Sequence, residues 1–212
     1  MLAITLHEAA HGYAAHLLGD DTAWRLGRVT LNPLKHIDPF GTVVLPALLL
    51  LTGAPFLFGY AKPVPVQFRA LRRPRRDMVW VAAAGPGMNI VLASIAALLF
   101  HVAGYLPTEA GQWMAQNLVN AIELNVILAV FNMIPLPPLD GGRVAVGLLP
   151  NALARPLASL ERYGMLIVFA ILFFLPVLGP RLGIDADFFF RTIMRAADAV
   201  IRVILLVTGN VP

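Results

Sequence analysis

With 58% of its 212 residues hydrophobic, 13% charged and a mean hydropathy of +0.75, the chain is too apolar for a soluble domain and reads as a polytopic membrane protein. It has no cysteine, so disulfides and thiolate ligands are excluded, and any metal must be held by nitrogen and oxygen donors drawn from five histidines and twelve acids. The net charge of +4 comes largely from Arg69, Arg72, Arg73, Arg75 and Arg76, a basic block beside apolar spans that signals topology; with no aromatic platform among them, nucleic acid is not expected as a partner.

Residues 1–18 predict a first helix that carries His7-Glu8-Ala9-Ala10-His11. Positions i and i+4 share a helix face, so His7 and His11 can offer two imidazole nitrogens to one cation while Glu8 is placed to take a proton from water. The surrounding Leu2-Ala3-Ile4-Thr5-Leu6 and Gly12-Tyr13-Ala14-Ala15 put this zinc-hydrolase arrangement inside a membrane. The six residues before His7 span about 9 Å at ~1.5 Å per residue, short of a ~30 Å hydrocarbon layer, so the helix reads as truncated at its start.

Residues 19–41 are polar and turn-rich, with Arg28-Val29-Thr30-Leu31 as a short strand in a membrane-associated β/loop region. Residues 42–60 are apolar but interrupted by Pro46, Gly53, Pro55 and Gly59, and either span the membrane or form a re-entrant hairpin. The positive-inside rule places the basic loop 61–77 in the cytoplasm, and the hairpin is favoured because a first helix completed by further N-terminal residues would then bring His7 and His11 to the cytoplasmic side, level with Asp140. Asp77 is expected to cap a transmembrane helix over 78–106, which contains Gly85-Pro86-Gly87-Met88-Asn89. A link at 107–115 follows, then a second transmembrane helix at 116–134. That helix runs into Asn132-Met133-Ile134-Pro135-Leu136-Pro137-Pro138-Leu139-Asp140-Gly141-Gly142, where three prolines in four residues must unwind the chain. Residues 143–162 read as cytoplasmic, 163–180 as transmembrane, and 187–208 as a C-terminal helix whose Arg191, Arg195, Asp198 and Arg202 form one polar stripe. The fold class is therefore an all-α membrane protein, a single domain over 1–212 with about five to six transmembrane or re-entrant segments.

An open catalytic zinc site needs a third protein ligand. Asp140 ranks first, because an acid after a proline break and before two glycines is costly at membrane depth unless paired or metal-bound; capping of a helix end is its plain alternative. Glu123 ranks second, some four helical turns away. His16 follows His11 by five residues and points off the ligand face, and His101 reads as a packed or lumen-facing residue. His36 and Asp38 read as an ordinary polar turn sooner than as substrate-orienting groups.

Taken together, the motifs at His7–Gly12, Gly85–Asn89 and Asn132–Gly141 resemble the site-2 protease family of intramembrane zinc metalloproteases. The stretch 31–41 and Gly59-Tyr60-Ala61-Lys62-Pro63-Val64-Pro65-Val66 look like its compact prokaryotic branch, without the PDZ or CBS module that members often carry. The resemblance implies one zinc per chain on His7, His11 and Asp140, Glu8 as catalytic base, and Asn132 and Asn89 as residues that contact the substrate backbone or help set up the cleft. It implies a multi-pass cell-membrane protein whose active site lies near the cytoplasmic side and whose partners are the bilayer and a transmembrane protein or peptide substrate. Two other functions remain open to these residues: a transporter or channel using a metal or proton site, and a non-catalytic zinc-binding scaffold. Neither requires Glu8, and the scaffold needs a fourth ligand.

Overall fold

The computed structural model describes residues 1–52, 59–179, 181 and 186–210. Residues 53–58 of the apolar segment 42–60 lie outside them, and so does the choice between a re-entrant and a spanning path there. The chain divides into two compact units, Met1–Gly85 and Pro86–Pro212.

In the first unit, helix α1 (Leu2–Leu17) buries Ala3, Thr5, His7, Ala9, His11, Gly12 and Ala15. These are small residues and the two histidines, so other backbone can approach this face closely. Gly19 turns the chain in a left-handed conformation (φ 110°), and Asp20 then stitches the corner together. One of its carboxylate oxygens accepts the backbone N–H of Thr22 at 3.0 Å, at the start of α2 (Thr22–Arg25), and the other accepts the N–H of Gln67 at 2.6 Å. Burial pushes the Asp20 carboxyl up, but hydrogen bonds from the Thr22 side chain and backbone and from Gln67 outweigh it and hold the group below its ordinary value. Ala15 packs with Leu71 and Val81, tying α1 to the chain that leads into the long helix.

The strand expected at Arg28–Leu31 is not formed, and no strand occurs among the described residues. Gly27, at φ 61°, has already turned the chain, and Asn32 caps a 3-10 turn at Pro33–His36 by accepting the Leu34 N–H at 3.0 Å. His36 is buried there, its Nε2 3.0 Å from the Thr30 carbonyl. Asp38 caps the π-helical turn Pro39–Val44 through the N–H groups of Phe40 and Gly41, and α3 (Leu45–Leu51) continues it. The polar-turn reading of His36 and Asp38 therefore holds. Residues 60–64 run alongside this turn, with Tyr60 N–H donating to the Gly41 carbonyl at 3.0 Å and Lys62 N–H to the His36 carbonyl at 2.9 Å.

Helix α4 (Pro74–Ala103) begins four residues ahead of the expected start at 78, because Pro74 occupies its first turn at no hydrogen-bond cost. Asp77 lies inside that turn and still serves the helix end, its carboxylate accepting the Arg73 N–H at 2.7 Å.

The second unit takes α4 onward from Pro86. Helix α5 (Thr108–Asn132) starts eight residues before the expected 116, so the link 107–115 shrinks to a few residues. Pro107 is extended there (ψ 146°) and its carbonyl accepts the Gly111 N–H at 2.8 Å, while Glu109 complements the positive end of the helix. Ala93, Ala96 and Ala97 of α4 pack with Ile122 and Val126 of α5 and with Ala197 and Ile204 of the C-terminal helix, a core of small residues that suits close helix approach without water.

The stretch 143–162, read from the sequence only as cytoplasmic, is mostly helical: α6 (Asp140–Leu148) and α7 (Asn151–Ser159) are separated only where Pro150 forces Leu149 to an extended conformation (ψ 150°). Helix α8 (Glu161–Phe169), a π turn at Ala170–Phe174 and α9 (Leu175–Leu178) follow. Helix α10 (Ala186–Val207) buries Ala197 and Ile204 against α5 and exposes Arg191, Arg195, Asp198 and Arg202, as the stripe requires.

At ~1.5 Å per residue α4 and α5 are about 45 and 37 Å long, enough to cross a bilayer. Their exposed Val91, Ile95, Leu98, Val119 and Leu124 are what a lipid-facing surface presents. Among the described residues these are the two helices long and apolar enough to span; a third counts if α7 and the run Glu161–Phe174, bent by 60°, form one broken span. The protein is all-helical where described and membrane-embedded. Five to six segments exceed what these helices alone establish.

Candidate metal centre

His7 and His11 lie one turn apart on the buried face of α1, with their Nε2 atoms 3.1 Å apart and their rings 4.7 Å apart, edge to face at 84°. His11 Nδ1 lies 2.7 Å from the Val81 carbonyl of α4. A donor N–H on that carbonyl leaves Nε2 with its lone pair, the arrangement of a metal-ligating imidazole held from behind. Two nitrogens on a tetrahedral zinc at ~2.05 Å would stand about 3.3 Å apart, so the pair is already close to that spacing.

Gly85 of α4 packs directly against these nitrogens. A Cβ at that position would lie 2.6 Å from His7 Nε2 and closer still to His11 Nε2. Any side chain there would collide with both imidazoles. The sequence offers Gly85 only as part of the Gly85–Asn89 motif; the packing of α4 on α1 is what requires its missing side chain.

Glu8, next to His7, is half-buried, and its Oε2 accepts the backbone N–H of Val64 at 2.7 Å. Nothing in the sequence pattern announced Val64 as a partner. Asp140 is buried and opens α6. The chain before it is pressed against that helix: a Cβ on Gly141 would meet the Met133 carbonyl and one on Gly142 the Pro137 backbone, so both glycines are required for the loop to fold back. Glu123, the second-ranked ligand, is exposed on α5.

The amides are placed differently from each other. Asn132 Nδ2 donates to the Leu128 carbonyl at 2.9 Å, one turn back along α5. Asn89 is fully buried and donates to Asn125 Oδ1 at 2.9 Å, while Asn125 Nδ2 donates to the Ala121 carbonyl at 2.8 Å. Asn125 was missed in the sequence, where a lone amide in an apolar helix carries no pattern. His16 bonds Asp21 at 2.7 Å and stacks on Trp24, and His101 Nε2 lies 2.8 Å from the Thr208 carbonyl; each is engaged locally.

Comparison with known proteins agrees with this chemistry. Peptidase family M50 matches residues 101–175. The Bacillus subtilis protein YwhC, which carries the name of a zinc metalloprotease, is 39% identical over 97% of this chain and 91% of its own length. The chain belongs to peptidase family M50. Rip2 of Mycolicibacterium smegmatis, also named as a zinc metalloprotease, is 31% identical over 81% of this M50 chain and 64% of its own length, and Rip2 of Mycobacterium tuberculosis H37Rv is 29% identical over 84% and 66%. No solved structure gives a significant match. This M50 member is an intramembrane zinc metalloprotease of the site-2 protease family, and the reading as a transporter, channel or scaffold is not favoured.

Proposed function

We propose that His7, His11 and Asp140 hold one zinc ion per chain and that Glu8 is the general base of peptide hydrolysis. The observation that carries this reading is the pair of Nε2 atoms 3.1 Å apart on the face that Gly85 approaches without a side chain, with Glu8 one residue along the same turn. The ligand set of two imidazoles and a carboxylate leaves one position open, as catalytic zinc requires. Zinc bound there supplies Lewis-acid activation of water and of the peptide carbonyl near neutral pH. Glu8 accepts the proton of the attacking water through one carboxylate oxygen and returns it to the leaving amine. Its other oxygen is held by Val64, which fixes the carboxylate for both transfers.

The substrate is a transmembrane protein or peptide. Its carbonyls are hidden in helical hydrogen bonds, so the scissile segment unwinds before attack. Asn132 contributes an amide donor to the extended substrate, and Asn89 sets up the cleft through its bond to Asn125. By the positive-inside rule, the basic segment Arg69–Arg76 supports a cytoplasmic start of α4 and an active site near that side of a multi-pass cell-membrane protein. Helix α1, the apolar run Pro39–Leu51 and α10, added to the two or three spans, would bring the number of membrane-associated segments to five or six.

The test is cleavage of a synthetic transmembrane peptide by purified protein in detergent or liposomes. Cleavage should stop on chelation and return with zinc at about one ion per chain; persistence in metal-free protein would overturn the reading. Asn132→Ala should keep zinc and thermal midpoint but lose roughly 10- to 1000-fold in turnover, the range for one positioned donor. A joint fall in zinc, midpoint and turnover would make Asn132 a helix-end residue that serves Leu128 alone.

A further inference from the structure

The peptide between Pro63 and Val64 is held at both of its polar ends. Val64 N–H donates to Glu8 Oε2 at 2.7 Å, and the Pro63 carbonyl accepts from Arg28 Nη2 at 3.5 Å. The same nitrogen donates to the Lys62 carbonyl at 3.0 Å, and Nη1 donates to the Lys35 carbonyl. A trans peptide is planar with its C=O and N–H pointing in opposite directions, so fixing the carbonyl aims the N–H. The sequence Pro63-Val64-Pro65 sharpens this: neither proline has an N–H, and each restricts the backbone beside it, leaving Val64 as the single donor in an extended stretch.

From this geometry we infer that Arg28 is a positioning residue for Glu8, acting through the Pro63–Val64 peptide. The guanidinium fork bridges the Pro33–His36 turn to residues 62–63, a span that one planar cation with several donors makes more completely than a point charge. Donation to the Pro63 carbonyl polarises the peptide and strengthens the Val64 N–H as a donor to the carboxylate. Glu8 then keeps one oxygen anchored and presents the other to water in a fixed orientation. The Lys62 N–H to His36 carbonyl bond, at 2.9 Å, does not involve Arg28, so the local fold survives its loss while the aim of the peptide does not. The inference rests on Glu8 being the general base.

The test uses the full chain, zinc-loaded, on a synthetic transmembrane peptide. Arg28→Met should lower kcat roughly 10- to 100-fold, as expected for a misplaced catalytic group, with KM, zinc content and thermal midpoint close to wild type. Arg28→Lys should recover part of that loss. In a Glu8→Asp background, where the shorter carboxylate no longer reaches Val64, Arg28→Met should cost little more; full additivity of the two changes would overturn the coupling. Wild-type kcat in Arg28→Met, a change confined to KM, or a parallel loss of zinc and stability would each overturn the proposal. If Arg28→Met fails to fold, Arg28→Lys decides: a lowered kcat with KM and zinc retained supports the role, and an unchanged kcat ends it. Activity in Glu8→Gln would place the failure in the base assignment, whereas an inactive Glu8→Gln beside fully active Arg28 variants would fault the positioning alone.

Discussion

Glu8→Gln is expected to retain zinc and to lose peptide cleavage by at least roughly 10²- to 10⁴-fold, the usual contribution of a general base. The amide is nearly isosteric, and its oxygen can still accept the Val64 N–H now 2.7 Å from the Glu8 carboxylate, so the fold around the histidines should persist. What disappears is the capacity to take a proton. Measuring zinc by elemental analysis alongside cleavage of a transmembrane peptide separates the two effects. Substantial turnover in this variant would sink the mechanism, because no other step assigned to Glu8 distinguishes a protease from a zinc-binding scaffold.

The second large effect concerns metal occupancy. His7→Ala, His11→Ala and Asp140→Ala should each weaken zinc binding by more than about 100-fold, beyond what loss of a supporting hydrogen bond costs, and abolish cleavage. Gly85→Ala should do the same without touching a ligand, since its methyl would stand 2.6 Å from His7 Nε2. Alanine favours a helix interior over glycine by about 1 kcal/mol, but the methyl forces the packed imidazoles to shift, so the thermal midpoint is needed to separate a site effect from general destabilisation. Metal content after dialysis, read beside the thermal midpoint of the metal-free protein, checks it. Full zinc in Asp140→Ala would remove that residue from the ligand set, and full zinc in Gly85→Ala would mean that the ion lies elsewhere.

Much of the chemistry was legible because it is local. The i, i+4 spacing of His7 and His11 fixes their shared face whatever surrounds the helix, and the structure keeps their nitrogens 3.1 Å apart. The proline run before Asp140 had to break the helix, and α5 ends at Asn132 as that demands. The amphipathic spacing of α10 likewise survived, with its charged stripe exposed. Boundaries were less secure. Helices α4 and α5 start four and eight residues ahead of the expected 78 and 116: Pro74 sits in the first turn of α4, where proline is welcome, and Pro107 caps α5 from outside. The strand expected at Arg28–Leu31 failed for a related reason: β-branched residues favour extended chain, but Gly27 and the Asn32 cap turn it before a partner can pair.

By itself, then, the sequence determined the membrane setting, the helical class, the nitrogen and oxygen donors available to a chain without cysteine, and the acid Glu8 beside the paired histidines, because composition and helical periodicity act without distant partners. Only the tertiary structure decided what surrounds those groups. The Val81 carbonyl behind His11, the missing side chain of Gly85 before both nitrogens, and the Val64 N–H on Glu8 are contacts between positions some 56 to 78 residues apart along the chain. Such contacts leave no periodic trace, since backbone carbonyls and amides are the same at every residue, and which of them meets a given side chain depends on how the elements pack.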